Sequence, residues 1–290
     1  MIDALVALAG RLSLPVARAI GRRVGDLIWV AMPSRRILAL ANVAQAFPEM
    51  SASERRRVAY RSFQHLGMVA VEVCRAIREP ITSTLADVHV DGLAHVEQVM
   101  ATHGRALVVS AHLGNWELLT LLHHYLRGVP LSIVVRPLDT SALNGVVRQL
   151  RATAGATIID KRDAVRPVLQ ALRRGGLVGI LLDQNASRRE GVFVPFFGRL
   201  ASTSRSAATL AVRTGTPILP LFIRREPDGR HRVTIEPAIT PPAGAASEEG
   251  IVELTRRCTC VIEDAIRHAP EQWLWMHARW RTRPPEEARE

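Results

Sequence analysis

The chain has 290 residues, of which 48% are hydrophobic, so it can bury a sizeable core in one large domain or two small ones. Its formal net charge is +11, and Lys161 is its only lysine. The surface is therefore rich in arginine, which suits phosphate and carboxylate groups and predicts anionic partners. Aromatic residues make up only 4%, which disfavours single-stranded nucleic-acid binding through stacked bases. Three cysteines without a Cys-x-x-Cys pair argue against a disulfide framework or a zinc site and fit a reducing compartment.

The first residues predict neither a cleaved signal peptide nor a membrane-spanning helix. The amino terminus lacks a basic segment, Arg11 interrupts its apolar run, and no stretch of 18 or more uncharged apolar residues occurs. Over Leu5–Trp29, large apolar residues recur at helical spacing between arginines, and Pro15 is expected to bend this helix. Two interpretations stay open: a helix packed on the domain, or a helix lying in an anionic membrane interface.

A second helix is predicted from Ala52 to Arg78, because Ser51 and Glu54 form a capping box and Pro80 stops the helix. Together the two helical segments predict a membrane-associating amino-terminal region over residues 1–80. Residues 81–290 then form an α/β domain, and we expect the two parts to fold as one structural unit.

From Val88 onward, short apolar runs alternate with helical segments, which predicts an α/β fold. We expect a central, mostly parallel or mixed sheet covered by helices. Strands are predicted at Val88–Val90, Leu107–Ala111, Leu131–Val135, Thr157–Ile159, Leu177–Leu182, Ile218–Ile223 and Val233–Ile235. Helices are predicted at Leu93–Ala101, Trp116–Leu126, Ser141–Thr153, Ala164–Arg173, Ser204–Arg213 and Glu248–His268.

A histidine and an acid follow the second of these strands, at the edge of the sheet where α/β proteins usually bind ligands. A carboxylate can fix the tautomer of His112 and raise its basicity. Five residues of helix rotate by about 140°, so Gly114 and Asn115 must form a turn that brings Glu117 back to the imidazole, with Asn115 also capping the next helix. The alternative is a buried loop histidine and a first-turn acid that complements the helix dipole.

Missing motifs narrow the chemistry of this pair. The chain has no Gly-x-Ser-x-Gly elbow, no His-Glu-x-x-His zinc pattern and no glycine-rich phosphate loop. No metal and no cofactor are therefore predicted. A histidine and a carboxylate without a nucleophile suit activation of a hydroxyl group that belongs to the substrate.

Further candidates lie at other strand ends. Arg136 follows a predicted strand and could hold a phosphate or an oxyanion, with Arg151 as a weaker companion; the alternative is a surface arginine. Asp183 follows another strand as a supporting site residue, or as a turn former. Phe196 and Phe197 lie in an apolar loop that is either core or an acyl-chain pocket.

A cluster of tryptophan and arginine lies near the carboxyl end. Trp273, Trp275 and Trp280 alternate with arginines, a pattern typical of a membrane-interface belt or of aromatic residues that close a core.

Several stretches resemble the bacterial lipid A acyltransferase family, which is related to the glycerolipid acyltransferases. They are SAHLGNWE at Ser110–Glu117, VVRP ending at Pro137, LLDQN at Leu181–Asn185, VPFFG at Val194–Gly198 and APEQWLWMHARWRTRP at Ala269–Pro284. Asn42, AFPE at Ala46–Glu49 and the segment Ser62–His65 extend the likeness to the amino-terminal region.

The resemblance implies a glycerolipid-acyltransferase-like fold and an O-acyltransferase at the cytoplasmic face of the inner membrane. The donor would be an acyl carrier protein thioester, with a coenzyme A thioester as the alternative, and the acceptor a hydroxyl group of a phosphorylated glycolipid, a lipid A precursor. The family's catalytic His and acid correspond to His112 and Glu117, and its motif arginine to Arg136. Another polar lipid, such as a glycolipid or lysophospholipid, is the alternative acceptor.

Two other classes of function compete with this one. A non-catalytic protein that binds anionic membranes would use the same basic, amphipathic surface. Nucleic-acid binding would explain the charge, but few aromatic residues and no binding motif support it, so no nucleic-acid partner is predicted.

Overall fold

The computed structural model describes residues 2–126, 128–136, 145, 149–151, 154–241 and 247–287. Its helices are α1 (Ile2–Ala9), α2 (Leu14–Ala31), α3 (Pro33–Ala46), α4 (Ala52–Ala76), α5 (Ile81–Ala86), α6 (Leu93–His103), α7 (Val165–Arg173), α8 (Ser206–Thr214) and α9 (Glu248–His268). Short 3-10 helices cover Trp116–His124, Lys161–Asp163 and Pro270–Gln272. Its strands are β1 (Val88–Asp91), β2 (Arg105–Ser110), β3 (Leu131–Val135), β4 (Thr157–Asp160), β5 (Gly176–Leu181), β6 (Gly191–Phe196), β7 (Arg199–Ser204), β8 (Ile218–Arg225) and β9 (His231–Ile235).

Seven strands form one sheet in the order β1-β9-β8-β2-β5-β3-β4. Every neighbouring pair is parallel except β8 and β9. The predicted α/β class and all seven predicted strands are therefore confirmed. Strands β2 and β5 are neighbours, and Ser110 pairs with Leu181 at their carboxyl ends. Residues that follow these two strands consequently meet at one edge of the sheet.

The apolar loop that the sequence predicts at Val194–Gly198 is instead part of a two-stranded hairpin. Strands β6 and β7 pair antiparallel, and Phe196 lies opposite Arg199 across a two-residue turn. Both turn residues have positive φ, 50° at Phe197 and 71° at Gly198, as tight hairpin turns require. Phenylalanine rarely adopts this conformation, so the sequence does not signal the turn.

The predicted bent helix Leu5–Trp29 is instead two helices, α1 and α2, and a third helix, α3, follows. Pro15 lies in the first turn of α2 and Pro33 in the first turn of α3, where a missing N–H costs no hydrogen bond. The prolines therefore begin helices instead of bending one. The predicted capping box is present at the start of α4, where Ser51 and Glu54 satisfy each other's backbone N–H groups.

The core lies on both faces of the sheet. Alternate residues of β2 enter different clusters, Leu107 and Val109 in one and Ala106 and Val108 in the other, because neighbouring strand residues point to opposite faces. Helix α4 contributes buried residues to both clusters. The amino-terminal helices thus share their core with the sheet.

Large apolar side chains are exposed on the first three helices and at the junction between α2 and α3. We call this set the N-terminal apolar surface; it comprises Leu8, Val16, Ile20, Leu27, Val30, Met32 and Ile37. Among the described residues no single helix is long and apolar enough to span a membrane. Helices α2 and α3 meet the length and composition requirements together, but their axes differ by 98°.

Most of the predicted helix Ser141–Thr153 lies outside the described residues, and so does Pro137.

Candidate active site

The register of β2 and β5 places His112 beside Asp183. Since Ser110 pairs with Leu181, the residues two positions further along both strands face each other. Asp183 Oδ1 lies 2.8 Å from His112 Nδ1, and the backbone N–H of His112 donates to Oδ2 over 2.9 Å. Trp273 also donates its indole N–H to Oδ2, at 2.7 Å. The carboxylate is thus held by three donors and fixes the imidazole in orientation.

Electrostatics favour an ionised acid and a basic imidazole. Burial alone would raise the pKa of Asp183, but the charge of His112 and the hydrogen bonds from His112 and Trp273 lower it to about 2. Burial alone would lower the pKa of His112, but the charge and hydrogen bond of Asp183, together with the charge of Glu117, raise it above 6.5. His112 remains 18% exposed at its side chain, whereas Asp183 is 2% exposed. The histidine is therefore both activated and accessible.

Glu117 does not form the hydrogen bond to His112 that the sequence analysis predicts. Its carboxylate receives two hydrogen bonds from Arg151, Nε to Oε2 at 3.0 Å and Nη2 to Oε1 at 2.8 Å. The indole N–H of Trp116 donates to Oε1 at 3.1 Å. Asp183 takes the predicted place of Glu117 because the turn directs Trp116, not Glu117, toward the imidazole. The rings of His112 and Trp116 meet edge to face, with centroids 5.2 Å apart.

The turn between His112 and Glu117 is held by β8 and by the carboxyl-terminal segment. Gly114 has φ of +58°, and a Cβ atom there would lie 2.1 Å from the carbonyl oxygen of Ile223, so no larger residue fits. The N–H of Gly114 donates to the carbonyl of Gln272 at 3.1 Å. Asn115 is fully buried and donates its Nδ2 to Glu72, while its Oδ1 accepts no hydrogen bond from the described residues, so its side chain does not cap the following helix as predicted.

The two predicted arginines have different surroundings. Arg136 is exposed at the end of β3, one strand beyond β5, and has no hydrogen-bond or ion-pair partner among the residues that the structure describes. Arg151 is bound to Glu117 by two hydrogen bonds, and its side chain is only 14% exposed. The Arg151 guanidinium therefore pairs with Glu117, whereas the sequence analysis predicts that it binds a phosphate or an oxyanion.

The aromatic residues belong to the core. Phe196 and Phe197 are buried against each other and against tryptophans, which favours the core alternative over an open acyl-chain pocket. Trp273 and Trp275 are buried as well, with ring centroids 4.6 Å apart, so the membrane-belt interpretation of this cluster is wrong.

Three further side chains around the Asp183 strand end and the tryptophan cluster are ones to which the sequence analysis assigns no role. Gln184 is exposed, and its Nε2 lies 3.3 Å from His112 Nε2, on the side opposite Asp183. His277 accepts the N–H of Asn185 at 3.0 Å, and burial lowers its pKa to about 4. Arg279 is fully buried, and burial lowers its pKa to about 10. In the sequence, only their positions, directly after Asp183 or within the tryptophan cluster, indicate that these residues lie near the site.

The arrangement suits proton abstraction from a bound hydroxyl group. An ionised acid on Nδ1 places the lone pair of the neutral imidazole on Nε2, which faces accessible space beside Gln184. A carboxylate and a histidine in this arrangement are the parts that general base catalysis on a substrate hydroxyl needs.

Comparison with known proteins shows which sequences this chain resembles. The chain is 29% identical over 277 residues to the lipid A biosynthesis lauroyltransferase of Escherichia coli K12, covering 94% of this chain and 88% of the relative. It is 27% identical over 276 residues to the palmitoleoyltransferase of the same organism, with 94% and 88% covered. For the myristoyltransferase the values are 26% over 279 residues, with 94% and 82% covered.

The sequence profile of a whole family gives the same assignment. The profile described as "Bacterial lipid A biosynthesis acyltransferase" matches residues 2–282, which is nearly the entire chain. The match includes the histidine turn, the Asp183 strand end and the tryptophan-rich segment. The chain therefore belongs to the bacterial lipid A biosynthesis acyltransferase family.

Proposed function

We propose that this protein transfers a fatty acyl group from an acyl carrier protein thioester to a hydroxyl group of a lipid A precursor. The observation that carries the proposal is the contact between Asp183 and His112 Nδ1, which puts the lone pair of the neutral imidazole on Nε2, at the exposed edge of the sheet beside Gln184. Membership of the family and the names of its relatives as acyltransferases support the same reaction.

In the proposed mechanism His112 is the general base. Its Nε2 removes the proton of the acceptor hydroxyl while the oxygen attacks the thioester carbonyl carbon, and Asp183 stabilises the imidazolium that forms. When the tetrahedral intermediate collapses, the carbon–sulfur bond breaks and the imidazolium returns the proton to the leaving thiol. The ester forms without an acyl-enzyme intermediate.

Other site residues supply charge and position. Glu117 raises the pKa of His112 through its charge, and Arg151 holds Glu117 in place by two hydrogen bonds. Arg136, exposed at the end of β3, is available for the oxyanion or for a phosphate of the acceptor, the role carried over from the family motif. The backbone amides of the turn are further candidates for the oxyanion.

The partners follow from charge and exposure. A net charge of +11 attracts an acidic carrier protein, an anionic membrane and a phosphorylated acceptor alike. The N-terminal apolar surface would lie among lipid headgroups and upper acyl chains, so that residues 1–80 associate the enzyme with the inner membrane from the cytoplasmic side.

An acyl-transfer assay tests the function directly. Purified protein is incubated with an acyl carrier protein thioester, or with acyl coenzyme A, and with a lipid A precursor, and products are measured by mass spectrometry. We expect the mass of the precursor to increase by that of one ester-linked acyl group. If only a glycolipid or a lysophospholipid became acylated, that lipid and not the lipid A precursor would be the acceptor. No acylated product from any donor and acceptor would favour a non-catalytic lipid-binding protein.

Membrane association makes a separate prediction. Leu27 and Val30 are 67% and 69% exposed on the N-terminal apolar surface. Because burial of an aliphatic side chain contributes about 1.5–3 kcal/mol, we expect Leu27→Asn with Val30→Asn to weaken binding to anionic vesicles at least tenfold. Vesicle co-sedimentation measures this. Val165→Asn is the control, since Val165 is 65% exposed on α7; an equal loss in both variants would contradict the assignment of the surface.

A further inference from the structure

Behind the histidine turn lies a buried carboxylate that the proposed reaction does not use. Glu72 of α4 is 5% exposed, and Arg18 of α2 donates its Nε to Oε1 at 2.7 Å. Arg225, at the end of β8, donates to both oxygens, with Nη2 2.8 Å from Oε2. His231 Nε2 lies 3.4 Å from the same oxygen. One carboxylate thus joins an amino-terminal helix to two strands of the sheet.

The same carboxylate also holds the histidine turn. Asn115 Nδ2 donates to Glu72 Oε2 at 2.9 Å, and the Asn115 side chain is fully buried. The backbone carbonyl of Asn115 accepts a hydrogen bond from the N–H of Leu118, which closes the first turn of the 3-10 helix. Glu72 therefore contacts a buried side chain midway between His112 and Glu117.

Helix α2 is held rigidly against α4. A Cβ atom on Gly67 would lie 2.1 Å from the carbonyl oxygen of Gly21, and one on Gly25 would lie 2.4 Å from Cα of Gln64. Backbones in such direct contact transmit a displacement of one helix to the other, because no flexible side chain lies between them. Arg18 belongs to the same helix as Val16, Ile20, Leu27 and Val30 of the N-terminal apolar surface.

We propose that Glu72 is a positioning residue that holds the His112–Glu117 turn through Asn115, and that Arg18 couples this contact to the helix bearing the N-terminal apolar surface. The chain of contacts runs from α2 through Arg18, Glu72 and Asn115 to the turn. The position of α2 then sets the geometry of the site, and a lipid surface that orders α2 favours the active arrangement. Only the kinetic test of this coupling rests on the proposed function; the structural test needs no substrate.

Two variants interrupt the chain of contacts at different points, and a third retains the charge at one of them. Asn115→Ala removes the last contact but leaves the ion pairs of Glu72 in place. Arg18→Ala removes the first contact, and Arg18→Lys retains its charge. The control is Arg75→Ala: Arg75 donates to the carbonyl of Leu12 and pairs with Glu79, so it also ties the amino-terminal segment to α4 at low exposure, but it does not reach the turn.

Amide hydrogen exchange of the turn tests the coupling without any substrate. We expect the N–H groups of Gly114 and Leu118 to exchange at least tenfold faster in Asn115→Ala and Arg18→Ala than in wild type, while amides of β5 are unchanged. Arg18→Lys should recover most of the protection, and Arg75→Ala should retain all of it. Equal exchange of the turn in Arg18→Ala and Arg75→Ala would overturn the coupling, even if the protein transferred no acyl group.

Steady-state kinetics then separate positioning from general stability. Because misplacing a base by about 1 Å can cost on the order of 100-fold in rate, kcat should fall at least tenfold in Asn115→Ala, with KM for the acyl donor within about twofold of wild type. If that variant does not fold, Asn115→Asp tests the same contact, since it keeps the volume but sets two acceptors against each other. A wild-type kcat in either folded variant would refute the positioning role.

Discussion

Replacing His112 with alanine should reduce acyl transfer by about 1,000-fold or more, because a positioned general base typically contributes 10²–10⁴-fold to a rate. The imidazole is the group at this edge of the sheet with both a carboxylate partner on Nδ1 and an accessible Nε2. Without it, the acceptor hydroxyl must lose its proton to water. Transfer from a carrier protein thioester, followed by mass spectrometry, gives the rate.

The loss should be confined to the chemical step. We expect His112→Ala to remain folded and to bind anionic vesicles as the wild type does, since the ring is partly exposed and the hydrogen bonds to Asp183 from the residue 112 backbone and from Trp273 persist. Loss of the contact between the imidazole and Asp183 should lower the melting temperature only modestly. His268→Ala is the matched control, because His268 caps the exposed end of α9 and should retain wild-type turnover. Turnover near the wild-type rate in folded His112→Ala would refute the proposed mechanism.

Much of the architecture could be predicted because the spacing of apolar residues and the residues that begin or end a helix are local properties of the sequence. The apolar runs of β3 and the helix α9 have the bounds that the sequence predicts. Helix α4 begins at its predicted capping box, since the contacts of Ser51 and Glu54 lie within one turn. Such features depend on neighbours in the chain, and no knowledge of the fold is needed to predict them.

The partner of His112 could not be predicted in the same way. Sequence spacing favours Glu117, five residues away, whereas Asp183 lies 71 residues further along the chain. The contact with Asp183 follows from the order of strands, in which β5 lies next to β2 although β3 and β4 come between them in the chain. Strand order is a tertiary property, so the alternation of apolar runs cannot reveal it.

Buried polar residues limited the prediction for the same reason. Glu72 and Arg279 lie in segments that look like ordinary charged helix and loop, yet both are buried. A charged residue is usually solvated, and burial requires partners that come from distant elements. For Glu72 these partners are Arg18, Arg225 and Asn115, none of them within 40 residues in the sequence.

Asp183→Asn should lower kcat by about 10³-fold, because the amide selects the wrong tautomer of His112; the same change in a serine protease triad costs about 10⁴-fold. Two N–H groups, from the His112 backbone and from Trp273, donate to Oδ2, so the amide oxygen of asparagine must occupy that position. The amide NH₂ then takes the place of Oδ1 and donates to His112 Nδ1. The imidazole proton moves to Nε2, where the base needs a lone pair.

The pH profile identifies which acid activates the histidine. The base acts in its neutral form, so kcat/KM rises with pH through the pKa of His112, which Asp183 raises above the usual value for histidine in the wild type. Asp183→Asn removes the charge and the hydrogen bond that raise this pKa, while burial, which lowers it, remains. The ascending limb should therefore move to lower pH even as the rate falls.

Glu117→Gln removes only the weaker effect of the Glu117 charge and should shift the limb less. NMR titration of the His112 ring gives the same comparison without substrate, and a larger shift in Glu117→Gln than in Asp183→Asn would make Glu117 the activating acid.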